Sequence, residues 1–178
     1  MKLRETLKKR HRIHTGKAVH FSADEITLPN GKKATREYLE HPGAVAVIPF
    51  IDQNHIVLVR QYRYPVRAVT WELPAGKLDP GEQPVACVRR ELEEETGYTA
   101  SRINKLVSFW PTPAFSNEVL HIFQATGLRQ AQKNPDDDEF IEHAVLPVST
   151  VMSWIKSGKI RDSKTIIGLL YRRIAGRI

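Results

Sequence analysis

Between Gly76 and Tyr98 the chain runs Gly76, five residues, Glu82, seven residues, then Arg90-Glu91-Leu92-Glu93-Glu94-Glu95-Thr96-Gly97-Tyr98. Glu91, Glu94 and Glu95 stand at i, i+3 and i+4, so on a helix they share a strip of about 100°. Carboxylates on one strip repel one another, and near a helix C-terminus the backbone dipole disfavours them further. Such a strip is destabilising alone and becomes favourable around a divalent cation. The donors are all oxygen, with no thiolate or imidazole pair nearby, which selects Mg²⁺ or Mn²⁺ over Zn²⁺. Arg90, adjacent in sequence, can hold a carboxylate in a fixed orientation. A generic glutamate-rich helix is a solvated face, but this full spacing arises by chance roughly once in 10⁷ chains of this length.

The elements that must carry these residues surround them. Residues 82–95 are expected to be a helix. Val85, Val88 and Leu92 form an apolar stripe, Pro80-Gly81 precede it and Gly97 stops it. Upstream, residues 44–50 and 55–63 flank an Asp52-Gln53-Asn54 turn and read as a long β-hairpin with one buried arm. Residues 71–76 are a short extended piece. Asn30-Gly31 is a hairpin turn between strands at 18–28 and 33–39, and residues 1–12 read as a frayed basic helix or arm. Downstream, 105–110, 119–127 and 144–148 read as strands and 134–139 as a loop. Helices are expected at about 149–157 and 163–174, the second capped by Ser163. This order gives an α+β fold with a mixed sheet. Cys87 reads as a packing residue away from the acids, Asp24 and Glu25 as surface charges, and His11 and His14 as surface residues.

The 178 residues, 41% hydrophobic, are enough for one real core. No stretch approaches the roughly 18 apolar residues of a membrane span. One cysteine excludes an intramolecular disulfide framework and a multi-cysteine zinc site. The basic N-terminus lacks the apolar core of a secretory signal, so the reading is of a cytoplasmic protein. The net charge of +7 divides into +6 over residues 1–17, −5 over 18–154 and +6 over 155–178. The basic ends carry few interleaved aromatics, which argues against nucleic acid as the partner.

The 76–98 run fits the pattern G-x₅-E-x₇-R-E-U-x-E-E-x-G-U, with U apolar, at every defined position. The sequence therefore resembles the Nudix hydrolases, which cleave nucleoside diphosphates linked to another moiety. From about residue 18 to 148 it is similar to their ADP-ribose pyrophosphatase and nucleoside-diphosphate-sugar hydrolase branch. That narrower likeness rests on Arg60-Gln61-Tyr62-Arg63, on Trp71-Glu72-Leu73-Pro74-Ala75-Gly76, and on the loop 109–118 with Pro113 lying 15 residues past Tyr98.

The resemblance implies a Nudix-type α/β/α sandwich with a mixed sheet, plus N-terminal antiparallel strands used in dimerisation. Residues 1–40 would be the arm and dimerisation strands, and 41–178 the hydrolase domain. The Ala75 carbonyl, Glu91 and Glu95 would be metal ligands, with Glu94 joining them when more than one metal binds. Arg63 would contact the diphosphate, Arg36 would do so across a dimer interface, and Glu72 would fix the substrate. Phe115 is a candidate for stacking on the base, and Glu118 lies with it in the substrate loop. The water-activating base would come from Asp136-Asp137-Asp138-Glu139, with Glu139 the first choice and Asp138 the second. The expected reaction is Mg²⁺-dependent hydrolysis of ADP-ribose or another nucleoside diphosphate sugar to a nucleoside monophosphate and a sugar phosphate, by a homodimer without membrane association. Two other readings compete: a Nudix hydrolase of dinucleoside polyphosphates or capped RNA, and a non-catalytic Nudix protein that senses nucleotides or binds nucleic acid. The complete 76–98 pattern speaks against the second.

Overall fold

A computed structural model describes residues 3–17, 19–131 and 140–176. The chain folds into two compact units, residues 1–43 with 110–119, and residues 44–109 with 120–178.

The first unit is an antiparallel sheet built on β3 (His20–Thr27). β4 (Lys33–Glu40) pairs along all of β3, from His20 opposite Glu40 to Thr27 opposite Lys33. β1 (Thr6–Lys9) and β2 (Arg12–Thr15) pair with the two halves of β3. Thr6–Lys9, within the stretch expected as a frayed basic helix or arm, is therefore a strand. The ladder to β3 satisfies its backbone groups, and tertiary pairing overrides a weak local preference. Asp24, expected at the surface, is buried. It accepts from the Tyr38 hydroxyl at 3.1 Å and from the His11 amide at 3.3 Å. The segment 110–119 joins this sheet through Leu39, whose amide donates to the Phe115 carbonyl (2.8 Å) and whose carbonyl accepts from the Asn117 amide (3.3 Å).

The second unit holds two sheets. In the first, β8 (Ala75–Lys77), β5 (Ala44–Pro49), β10 (Leu120–Gln130) and β9 (Tyr98–Phe109) lie in that order, with β5 and β10 parallel and the other pairs antiparallel. In the second, β6 (His55–Arg63) lies between β11 (Glu142–Pro147) and β7 (Ala68–Glu72). The expected hairpin of residues 44–63 is therefore split. Its two strands share only the Phe50–Ile56 bridge before diverging into different sheets. The reason lies in the apolar runs: every residue of β5 is buried, so it needs cover on both faces, whereas a two-stranded hairpin covers neither.

That cover comes from helices on opposite faces, an α/β/α sandwich. Val45 and Val47 pack with Cys87, Val88 and Leu92 of α1 (Pro84–Thr96). Ala44, Ala46 and Ile48, one residue out of phase, pack with Val151 of α2 (Val148–Lys156) and Leu169 of α3 (Ser163–Ile174). The buried face of α1 starts at Cys87 rather than at Val85, which is 44% exposed. Gly97 ends α1 at φ 70°, the left-handed conformation that favours glycine. Asp162, not Ser163, caps α3, its carboxylate accepting from the Thr165 amide.

Candidate active site

The acidic helix meets the strand that precedes it in sequence. β8 is held on the sheet by pairing of Ala75 with Ala46 and Gly76 with Val45. α1 then brings Glu91 and Glu95, 8% and 2% exposed, against that strand. The Ala75 amide donates to Glu95 Oε2 at 2.9 Å. A Cβ added to Gly76 would fall 1.7 Å from Glu91 Oε1. Only a residue without a side chain lets the backbone come this close to the carboxylate.

Arg90 ties the remaining acids together. Its Nε and Nη2 donate to the two oxygens of Glu82, each at 3.1 Å, and its Nη1 donates to Glu91 (2.8 Å) and Glu94 (3.0 Å). These bonds to Arg90 hold the Glu82 carboxyl down at about 2, and the arginine is correspondingly pushed further from neutrality. Cys87 is not remote from this cluster. Its Sγ donates to the Lys77 carbonyl at 3.3 Å and lies 3.4 Å from Arg90 Nη2, and burial pushes its thiol well up, away from thiolate chemistry.

Among the described residues no three acidic, His or Cys side chains form a ready-made metal cage. The donor chemistry nevertheless suits a hard divalent cation. Glu91, Glu94 and Glu95 offer only oxygen, they share one side of α1, and the glycine at 76 keeps backbone atoms within reach of Glu91.

A second ionic cluster, along one face of the β6–β7 hairpin, was only half visible in the sequence. Arg63 and Glu72 form a two-pronged pair, Nε to Oε1 at 2.9 Å and Nη2 to Oε2 at 2.7 Å. Thr70, on the same face of β7, adds its hydroxyl to Glu72. Lys164, from the first turn of α3, donates to Glu72 and also to Asp162 Oδ1 at 2.8 Å. Burial pushes the Glu72 carboxyl up, but Arg63 and Lys164 outweigh it and hold the group at about 2. Asp162 Oδ2 accepts from the Thr165 hydroxyl and amide, and the Thr165 oxygen accepts from the buried Leu73 amide at 2.8 Å. The Asp-Ser-Lys-Thr run at 162–165 carries a helix-start signal, but nothing in it points to Glu72 or Leu73, which lie 92 residues away.

The other expected site residues fall in the first unit or outside the described structure. Arg36, on β4, pairs with Glu5 through Nε at 3.0 Å and through Nη2. Phe115 is 53% exposed, and Glu118 lies 4.0 Å from the His41 ring. Asp138 and Glu139, the candidate bases, lie outside the described residues.

The chain is 41% identical to the methanol dehydrogenase activator of Bacillus methanolicus, the alignment covering 93% of this chain and 91% of that protein. It is 37% identical to the ADP-ribose pyrophosphatase of Bacillus subtilis (strain 168), over 93% of this chain and 90% of that one. A solved structure described as an ADP compounds hydrolase superposes over 100% of both chains with a TM-score of 0.85. At 20% identity this likeness shows the fold alone. The family model for the NUDIX domain matches residues 40–167, which include both ionic clusters. The chain thus belongs to the NUDIX domain family.

Proposed function

We propose that the protein is an Mg²⁺-dependent hydrolase of nucleoside diphosphate sugars, with ADP-ribose as its first candidate substrate. The observation that carries this reading is the pairing of an oxygen-only acidic strip on α1 with the close backbone approach at Gly76, next to an arginine, Arg63, held by a buried carboxylate. The first part suits a metal and the second a diphosphate. The ADP-ribose pyrophosphatase relative points to the same substrate class.

Glu91, Glu95 and the Ala75 carbonyl would hold the metal, with Glu94 available for a further ion. When bound, Mg²⁺ lowers the pKa of a coordinated water and screens charge on the phosphate oxygens. The chain's own residues do the rest. Arg90 spaces the carboxylates of Glu82, Glu91 and Glu94. Arg63 turns one edge of its guanidinium to Glu72 and offers the other, carrying Nη1, to phosphate oxygens, a two-pronged geometry that lysine lacks. Glu139, or Asp138 beside it, takes the proton from the attacking water. Water and ADP-ribose then give AMP and ribose 5-phosphate. The first unit supplies Arg36 and Phe115 to the substrate in a homodimer. Light scattering should give a dimer at micromolar concentration, and a fully active monomer would refute that part.

The deciding experiment is product analysis with Mg²⁺ and ADP-ribose, GDP-mannose, UDP-glucose and diadenosine polyphosphates. AMP and ribose 5-phosphate from ADP-ribose support the reading. Cleavage of the polyphosphates alone, or of none of the four, overturns it.

A further inference from the structure

We propose that Lys164 is a positioning residue of the active site, clamping Glu72 from α3 so that Glu72 in turn holds the Arg63 guanidinium in its substrate-facing orientation. The inference rests on the reading of Arg63 as the diphosphate ligand. It starts from an asymmetry between two cations on one carboxylate. The Arg63 side chain is 42% exposed and that of Lys164 only 13%, while Glu72 between them is 3% exposed. Lys164 is enclosed by two carboxylates, Glu72 and Asp162, and faces inward. Among the described residues Arg63 hydrogen-bonds to Glu72 through Nε and Nη2, and its side chain stays the more exposed of the two cations.

An isolated Arg63–Glu72 pair would be neutral, with Glu72 free to rotate about its own side-chain torsions and carry the guanidinium with it. Lys164 removes that freedom by donating from α3 to Oε2, which Arg63 Nη2 also holds, while Thr70 donates to Oε1. The lysine is itself fixed. Asp162 holds its ammonium at 2.8 Å and caps the same helix turn through Thr165. Gly168, one turn further on, lets α3 lie close to the sheet, since a Cβ there would stand 3.2 Å from Leu73 and 3.3 Å from Ile122. Stability alone is a poor reason for this arrangement, because well-packed apolar side chains of similar volume often replace a whole buried ion cluster at no cost. Orientation of the one exposed cation is a better one, since a misplacement of about 1 Å at a reacting group can lower rates on the order of a hundredfold.

The test uses the full chain with Mg²⁺ and ADP-ribose, comparing wild type, Lys164→Met and Lys164→Arg. Nitrogen-15 spectra follow the Arg63 Nε–H, assigned by its loss in Arg63→Lys. For Lys164→Met the expected result is a KM raised about tenfold with kcat changed less than about threefold, and faster solvent exchange of the Arg63 Nε–H. Lys164→Arg should recover both to within about threefold, because it keeps a cation on Glu72. Unchanged KM, or an undisturbed Nε–H in Lys164→Met, overturns the proposal. So does a kcat loss at constant KM, which would put the lysine on the reacting atoms. If Lys164→Met does not fold by circular dichroism, Lys164→Gln is read by the same criteria. Should wild type fail to hydrolyse ADP-ribose, the substrate reading has failed, and the Nε–H exchange still decides whether Lys164 positions Arg63.

Discussion

Replacing Gly76 by alanine separates the needs of the fold from those of the site. The added Cβ would stand 1.7 Å from Glu91 Oε1, 1.9 Å from its Cδ and 2.4 Å from Oε2. Ordinary contact requires the carboxylate to retreat by roughly 2 Å. What must move is the end of a flexible side chain, not backbone, so the fold can absorb the change. The expected destabilisation is about 1 kcal/mol, a fall in Tm of roughly 2–4 °C for a chain of this size. The site cannot absorb it, because the same carboxylate is bonded to Arg90 Nη1 at 2.8 Å and is a proposed metal ligand. Its displacement should raise the Mg²⁺ concentration for half-maximal activity at least about tenfold and lower kcat/KM on the order of a hundredfold. Both are measured by titrating Mg²⁺ at fixed ADP-ribose, with scanning calorimetry alongside. A variant with wild-type metal dependence and turnover would refute the argument that Gly76 exists to admit Glu91.

Other expectations concern charge and the α3 anchor. Glu72 is held at about 2 against an ordinary value near 4.5, so its contribution is full above pH 4.5 and disappears as pH falls through 2. It amounts to on the order of 3 kcal/mol. Urea unfolding between pH 5 and 2 should accordingly fall more steeply for wild type than for Glu72→Gln, and parallel curves would show the assignment to be mistaken. Thr165→Val keeps the side-chain shape but leaves the buried Leu73 amide without its acceptor, which costs about 1–3 kcal/mol. A Tm within 1 °C of wild type would contradict it. Glu139→Gln should lower kcat at least about a hundredfold with little change in KM. Turnover within a factor of two of wild type would remove Glu139 as the base.

The sequence by itself determined the acidic strip, because i, i+3, i+4 spacing and a terminating glycine are local properties of one helix. It also determined the α+β class and placed α3 within its observed limits, since the periodicity there is strong. It left residues 1–12 as a frayed helix or arm, whereas the strand conformation of Thr6–Lys9 comes from pairing with β3. It misread residues 44–63 as one hairpin, because an apolar run records that a strand is buried and not which neighbour buries it. The contacts of Arg90 with Glu82 and of Glu95 with the Ala75 amide span 8 and 20 residues and join α1 to the segment that precedes it. The contacts of Lys164 with Glu72 and of Thr165 with Leu73 were not foreseeable. They join residues 92 apart, and only the packing of α3 onto the sheet brings them together. Local spacing thus specified which carboxylates share one strip of helix, and tertiary packing decided which carboxylate holds Arg63 and what holds that carboxylate.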